Sequence, residues 1–135
     1  MMKTVVAALI FRDNKLLICQ RNLTAAFPGK WEFPGGKLEP GETPEAALRR
    51  ELEEELGIDA AIGRELWRVE YQYPGRAPLL LLFFAVSRYR GSIVNKIFQQ
   101  VCWAPLRELT TYDFLEADCA LVAKLAAGEI VVPSD

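Results

Sequence analysis

The sequence contains no histidine. That absence removes Ser-His-Asp and Cys-His nucleophilic machinery, histidine general bases, Cys2His2 fingers and HExxH zinc sites, all of which need an imidazole. Any acid-base or metal chemistry must therefore rest on carboxylates. Long hydrophobic runs are missing as well: the longest, Leu79 to Val86, is eight residues, against roughly 20 for a membrane-spanning helix. No cationic and apolar leader opens the chain, so the expectation is a cytoplasmic protein with no membrane partner. Cysteines are few. Cys19, Cys102 and Cys119 lie far apart in apolar surroundings, which fits free thiols in a reducing compartment. An excess of positive charge is also absent: 16 Lys+Arg stand against 18 Asp+Glu, a formal net charge of -2. A nucleic-acid polymer is thus not the expected partner.

What is present suits a packed globule. Hydrophobic residues make up 51% of the 135 positions and charged residues 25%, enough for a real core. No repeat or linker-like shift in composition interrupts the chain, so one domain over residues 1–135 is expected.

Thr4 to Phe11 and Lys15 to Gln20 are β-rich runs separated by Arg12-Asp13-Asn14, which reads as a hairpin. Phe27 to Gly41 is punctuated by Phe27-Pro28-Gly29, Pro34-Gly35-Gly36 and Pro40-Gly41, and reads as a long ordered loop. Thr43-Pro44 supplies an N-cap and a first-turn proline, and Gly57 a C-terminal stop, so a helix is predicted between them. Strands are predicted over Glu65 to Tyr73, Leu79 to Val86 and Gln99 to Trp103, with a turn at Pro74-Gly75-Arg76 and a second helix from Glu116 to Ala127. Intermixed strands and helices give an α/β or α+β class around a mixed sheet.

On a wheel advancing about 100° per residue, Leu48, Leu52 and Leu56 form the core-facing stripe of the first helix. Glu51, Glu54 and Glu55 share one arc of about 100°, whereas Glu53 points elsewhere. Like charges at these spacings repel. Either the arc is a solvated acidic face laced with Arg49 and Arg50, or it is a set of hard oxygen ligands for a divalent cation such as Mg2+.

The flanking loop bears on that choice. From Gly36 the chain reads Gly, five residues, Glu42, seven residues, then Arg50-Glu51-Leu52-Glu53-Glu54-Glu55-Leu56-Gly57-Ile58. This resembles the Nudix box, Gx5Ex7REUxEExGU with U aliphatic, at every specified position. The resemblance implies an αβα sandwich with a central mixed β-sheet and a loop-helix-loop motif. It implies hydrolysis of a nucleoside diphosphate linked to another moiety, with Mg2+, or Mn2+, as cofactor. In the family, positions matching Glu51, Glu54 and Glu55 hold the metals and the carbonyl matching Gly36 often adds a ligand. Positions matching Arg50 and Glu42 orient those glutamates. Metals bridging phosphate oxygens neutralise developing charge and acidify an attacking water, so the resemblance agrees with the wheel.

The likeness extends further. Trp31-Glu32-Phe33-Pro34-Gly35-Gly36-Lys37 is similar to the segment entering the box in MutT-type 8-oxo-dGTP diphosphatases and related nucleotide pyrophosphatases. Tyr71-Gln72-Tyr73-Pro74-Gly75-Arg76 looks like the strand and turn that carry a substrate-contacting arginine, matching Arg76. Asp113 to Asp118 looks like the segment where MutT carries a base-reading asparagine, here Asp118. Related CTP-type pyrophosphatases also have Asp there. An ionised aspartate only accepts, whereas a protonated one accepts and donates, so purine and cytosine readings both stay open. Asp118 could instead cap a helix beginning near Cys119. Phe33 could stack on the base or belong to the core, and Arg21 and Arg76 could contact phosphate or base or be ordinary surface arginines.

The resemblance implies hydrolysis of a nucleoside triphosphate to the monophosphate and pyrophosphate, and a monomer or homodimer is expected. The favoured substrate is 8-oxo-dGTP, the alternative CTP or a dCTP analogue, and the rival of another class a non-catalytic nucleotide-binding module. One departure stands out. Many relatives place an acid in the loop where this chain has Ile97, and no acid occurs from Tyr71 to Arg107. Seven of the 18 acids instead lie between Glu39 and Glu55.

Overall fold

Alternation along two neighbouring strands organises the molecule, whose computed structural model describes residues 2–131. Strand β1 (Lys3–Arg12) runs parallel to β7 (Leu79–Val86), with Val5 opposite Leu81 and Ile10 opposite Val86. Val6, Ala8, Ile10, Leu82, Phe84 and Val86 face one layer; Ala7, Leu9, Leu81 and Phe83 face the other. Both faces are apolar because each is covered by a helix. Helix α1 (Pro44–Leu56) covers the first with Ala47, Leu48, Leu52 and Leu56, and α2 (Glu116–Ala126) the second with Ala117, Leu121, Val122 and Leu125.

The remaining strands are β2 (Lys15–Gln20), β3 (Trp31–Glu32), β4 (Gly35–Lys37), β5 (Asp59–Ala61), β6 (Glu65–Tyr71), β8 (Arg88–Arg90) and β9 (Gln100–Pro105). Seven strands make one mixed sheet in the order β3-β2-β1-β7-β6, with β4 also on β1 and β9 also on β2. The result is a mixed α+β sandwich of the predicted kind. Strands β5 and β8 form a small separate pair, and a 3-10 turn covers Leu106–Thr111. Among the described residues no helix is long and apolar enough to cross a membrane.

Local chemistry explains the boundaries. Asp13 and Asn14 both have positive φ, 52° and 62°, the turn geometry that matches the twist of a two-residue hairpin. Thr43 Oγ1 accepts from Ala46 N at 3.1 Å, Pro44 opens α1 and Gly57 closes it at φ 70°. Leu48, Leu52 and Leu56 are fully buried, each contributing about 1.5–3 kcal/mol, and this fixes which side of α1 faces outward.

Three predicted segments differ from the structure by more than one residue. The loop from Phe27 to Gly41 contains β3 and β4, which pair with β2 and β1; its glycines and prolines masked strands too short for a periodic signal. Strand β6 ends at Tyr71, because Tyr73 turns inward into the core. The strand expected over Gln99 to Trp103 is Gln100–Pro105, extended because Lys15 pairs with Pro105.

Candidate active site

Helix α1, strand β4 and the loop between them meet at Arg50. Its Nε donates to Glu42 Oε2 at 2.8 Å and its Nη2 to Glu42 Oε1 at 2.9 Å, a bidentate pair. Nη2 also reaches the Lys37 carbonyl at 3.2 Å, while Nη1 contacts Glu51 at 2.9 Å and, more loosely, Glu54 at 3.4 Å. Arg50 thus ties the loop to the helix. Its hydrogen bonds, with a further one from Glu39 N, hold the Glu42 carboxyl down at about 2. The same contacts raise the Arg50 pKa.

Glu51 lies against β4. A β-carbon on Gly36 would come within 2.2 Å of Glu51 Oε2, so only glycine leaves room for this carboxylate. Glu55 points inward and is 8% exposed; its Oε1 accepts from Gly35 N at 3.2 Å. Burial first, then the negative charges of Glu51 and Glu32, push its pKa up to about 9. Glu54 stands outside, with a side chain 57% exposed.

Among the described residues no three acidic or thiol side chains are arranged to hold a metal ion as they stand. The reason is local. Arg50 draws Glu51 and Glu54 to itself, and Glu55 turns inward to the backbone N–H of Gly35. The donor set nevertheless fits a hard divalent cation: three carboxylates and a glycine carbonyl, all oxygen, lie beside a cradle that a β-carbon would fill. Glu53 is exposed, as the wheel required.

A carboxylate that sequence reasoning missed is Glu32. It sits on β3 opposite Cys19 of β2 and accepts from Arg21 Nη1 at 3.0 and 3.2 Å. Burial raises its pKa while Arg21 opposes the shift. A lone acid between Trp31 and Phe33, at the strand position facing away from Trp31, is the signal that could have found it. Arg21 is therefore committed to Glu32 and to the Ala26 carbonyl, 2.6 Å from its Nε, rather than standing open to phosphate.

The segment before α2 is docked on β3: Trp31 N donates to Asp113 O at 2.9 Å, Leu115 N to Trp31 O at 3.0 Å, and Lys30 pairs with Asp113 at 2.8 Å. This brings Asp118 towards Glu32. Asp118 is 4% exposed, and its carboxyl has no hydrogen bond or ion pair among the described residues. No sealed side-chain oxygen there lacks a partner, so its oxygens are the part that reaches solvent. Burial, then the Glu32 charge, push its pKa up to about 8. It is not a cap: α2 begins at Glu116 with Leu115 as N-cap, which places Asp118 inside the first turn.

Phe33 is core. It is 4% exposed, with its ring 5.2 Å from Phe114 and 6.2 Å from Phe83, so neither face is open to a base. Arg76 is exposed in the turn after β6, over the ring of Phe27 at 4.9 Å. A surface depression of about 580 Å3 between Arg12, Tyr89 and Trp103 contains none of these carboxylates. Chemistry, not concavity, marks the site.

A family model described as the NUDIX domain matches residues 1–123. This chain belongs to the Nudix family. The CTP pyrophosphohydrolase of Escherichia coli (strain K12) is 37% identical over 131 residues, covering 97% of this chain and 96% of that protein. The 8-oxo-dGTP diphosphatase of the same organism is 39% identical over 127 residues, 93% and 98% of the two chains. Among solved structures, the solution structure of the E. coli ORF135 protein superposes with a TM-score of 0.84 at 36% identity, over 99% of this chain and 95% of that one. This Nudix chain is accordingly a nucleotide pyrophosphohydrolase, an enzyme acting on phosphoanhydrides.

Proposed function

We propose that the chain is a Mg2+-dependent nucleoside triphosphate diphosphatase whose preferred substrate is 8-oxo-dGTP. The observation that carries this reading is the pairing of two separate features, each of which feels the charge of Glu32: the Arg50-ordered glutamates on α1, and the Asp118 carboxyl on α2, which has no partner among the described residues. Glu51, Glu54 and Glu55 with the Gly36 carbonyl would hold the cation, which supplies charge neutralisation at phosphate oxygens and a more acidic water. Water adds to a bridge phosphorus, the bond to the bridging oxygen breaks, and pyrophosphate leaves the nucleoside monophosphate. Arg50, fixed by Glu42, sets the directions of Glu51 and Glu54. Glu54 is the most exposed and most loosely tied of these carboxylates, which supports it as the group that would accept the proton of the attacking water.

Asp118 reads the base. With a pKa near 8 it is neutral at pH 7, so its hydroxyl donates and its carbonyl accepts, as an asparagine amide would. The O6 acceptor and N7–H donor of 8-oxoguanine complement that pair, whereas guanine presents two acceptors on the same edge. The same neutral carboxyl also complements the N3 acceptor and N4 amino group of cytosine, which keeps CTP or a dCTP analogue as the second reading. The relative of that name, at 37% identity, supports it. Pyrophosphate release from 8-oxo-dGTP, dGTP, CTP and 5-methyl-dCTP with Mg2+ tests both readings, with Glu54→Gln alongside. Preference for a cytosine substrate sinks the purine assignment. Nucleotide binding without turnover sinks the enzyme reading.

A further inference from the structure

The ring of Phe27, with the Arg76 guanidinium over it, packs on Tyr73 with centroids 4.7 Å apart. Tyr73 is buried, its ring meets Tyr71 at 4.8 Å, and its hydroxyl accepts the backbone N–H of Ala117 at 3.0 Å. Ala117 immediately precedes Asp118. A continuous stack therefore runs from an exposed arginine, through the loop between β2 and β3, to the first turn of α2.

Phe27 is the unusual member of that stack. Its φ is 52°, in the left-handed region that bulky residues rarely occupy. The loop is strapped around it: Arg21 Nε bonds Ala26 O at 2.6 Å, Gly29 N bonds Arg21 O at 3.1 Å, and Gln20 Nε2 bonds Gly29 O at 3.1 Å. These bonds aim the ring inward, half-buried between Arg76 and Tyr73. Arg76 has no carboxylate partner among the described residues, so the ring face is what orients its charge.

We infer that Phe27 is a positioning residue for nucleotide recognition: its ring, seated on Tyr73, holds the Arg76 guanidinium, so that Arg76 and Asp118 address one nucleotide. This rests on the nucleotide-hydrolase reading above and adds to it the residue that orders the arginine. A long side chain ordered before the ligand arrives loses less freedom on binding. The effect of Phe27 therefore belongs to affinity and base discrimination, not to the bond-breaking step.

The test is calorimetric titration of the monophosphates 8-oxo-dGMP and CMP, which need no turnover, into wild type, Phe27→Gly, Phe27→Tyr, Arg76→Ala and the Phe27→Gly/Arg76→Ala double variant. Glycine accepts this φ without strain, so Phe27→Gly removes the ring while sparing the loop's path. Loss of one ordered cation–π contact is expected to raise the Kd of the tighter nucleotide about tenfold. Phe27→Tyr should stay within about twofold of wild type. The double variant should bind no more weakly than Arg76→Ala alone, and triphosphate turnover by Phe27→Gly should show raised KM with kcat unchanged. An unchanged Kd in Phe27→Gly, effects of the two single variants that multiply, or no binding of either monophosphate by wild type overturns the inference. So does a lowered Tm with kcat and KM both impaired, which is the mark of a merely structural ring. If wild type binds a monophosphate yet releases no pyrophosphate from any triphosphate, the proposed reaction fails while Phe27 is still scored on Kd.

Discussion

Glu51 stands where a side chain on Gly36 would have to be: a β-carbon there would approach its Oε2 to 2.2 Å. Gly36 has no positive φ, so its requirement for glycine is steric and not conformational. Gly36→Ala should therefore fold normally and push Glu51 out of place. A displacement of about 1 Å in a catalytic group lowers activity by about 100-fold. Pyrophosphate release, read beside Tm, checks this; full activity in Gly36→Ala would show that Glu51 need not lie against β4.

The helix was legible because its signals are local. Thr43, Pro44, Gly57 and the leucine stripe each carry their message within a few residues, and the structure places every one of them as read. Glu32 and Phe27 were not legible, because their roles arise from pairing across distance. Glu32 matters through Cys19, Arg21 and Asp118, and Phe27 through Tyr73 and Arg76. The alternatives for Phe33 and Arg21 stayed open in the sequence for the same reason. An aromatic beside a box reads alike whether its ring faces the cleft or Phe114, and only the fold shows that Glu32 and Ala26 O already take the Arg21 donors.

Glu42→Gln tests the bidentate pair. An uncharged amide cannot accept both Arg50 bonds as a carboxylate does, so Glu51 and Glu54 lose their fixed orientation. Removing such a partner typically lowers activity about 10–100-fold. Glu42 titrates at about 2 when folded, below its ordinary 4.5, so its contribution to stability is complete above the unfolded value and lost as pH falls through the folded one. Wild type should lose stability relative to Glu42→Gln as pH drops from about 4.5 to 2, followed by Tm. Parallel pH profiles would count against the pair.

Asp118 gives the opposite sign. Its folded pKa of about 8 lies above the ordinary 3.8, so folding stability is fully present below the unfolded value and declines as pH rises to the folded one. Asp118→Asn, which cannot ionise, should gain Tm over wild type progressively between pH 4 and 8. Base affinity should follow the same group. Wild type should bind the favoured monophosphate less tightly as pH passes 8, where the carboxyl keeps only its acceptors, and Asp118→Asn should not. A flat wild-type affinity from pH 6 to 9, measured by calorimetry, would remove the neutral carboxyl from base reading.

Ile97 bears on turnover. It is 49% exposed, and its carbonyl accepts from Asn22 Nδ2, so the loop is anchored through its backbone and not through the isoleucine side chain. The backbone of the same loop also bonds the end of α1, Val94 N to Leu56 O at 2.9 Å and Lys96 N to Glu55 O at 3.1 Å. A carboxylate introduced at position 97 would thus be carried by a segment already fixed to the glutamate helix. Ile97→Glu should fold as wild type does. A positioned general base contributes about 100-fold or more, so even an imperfectly placed one should raise kcat by about tenfold. Ile97→Gln, equal in size but unable to take a proton at neutral pH, separates basicity from shape: it should leave kcat unchanged. If both variants behave alike, the box glutamates already supply all the basicity the reaction uses, and the missing loop acid does not limit this enzyme.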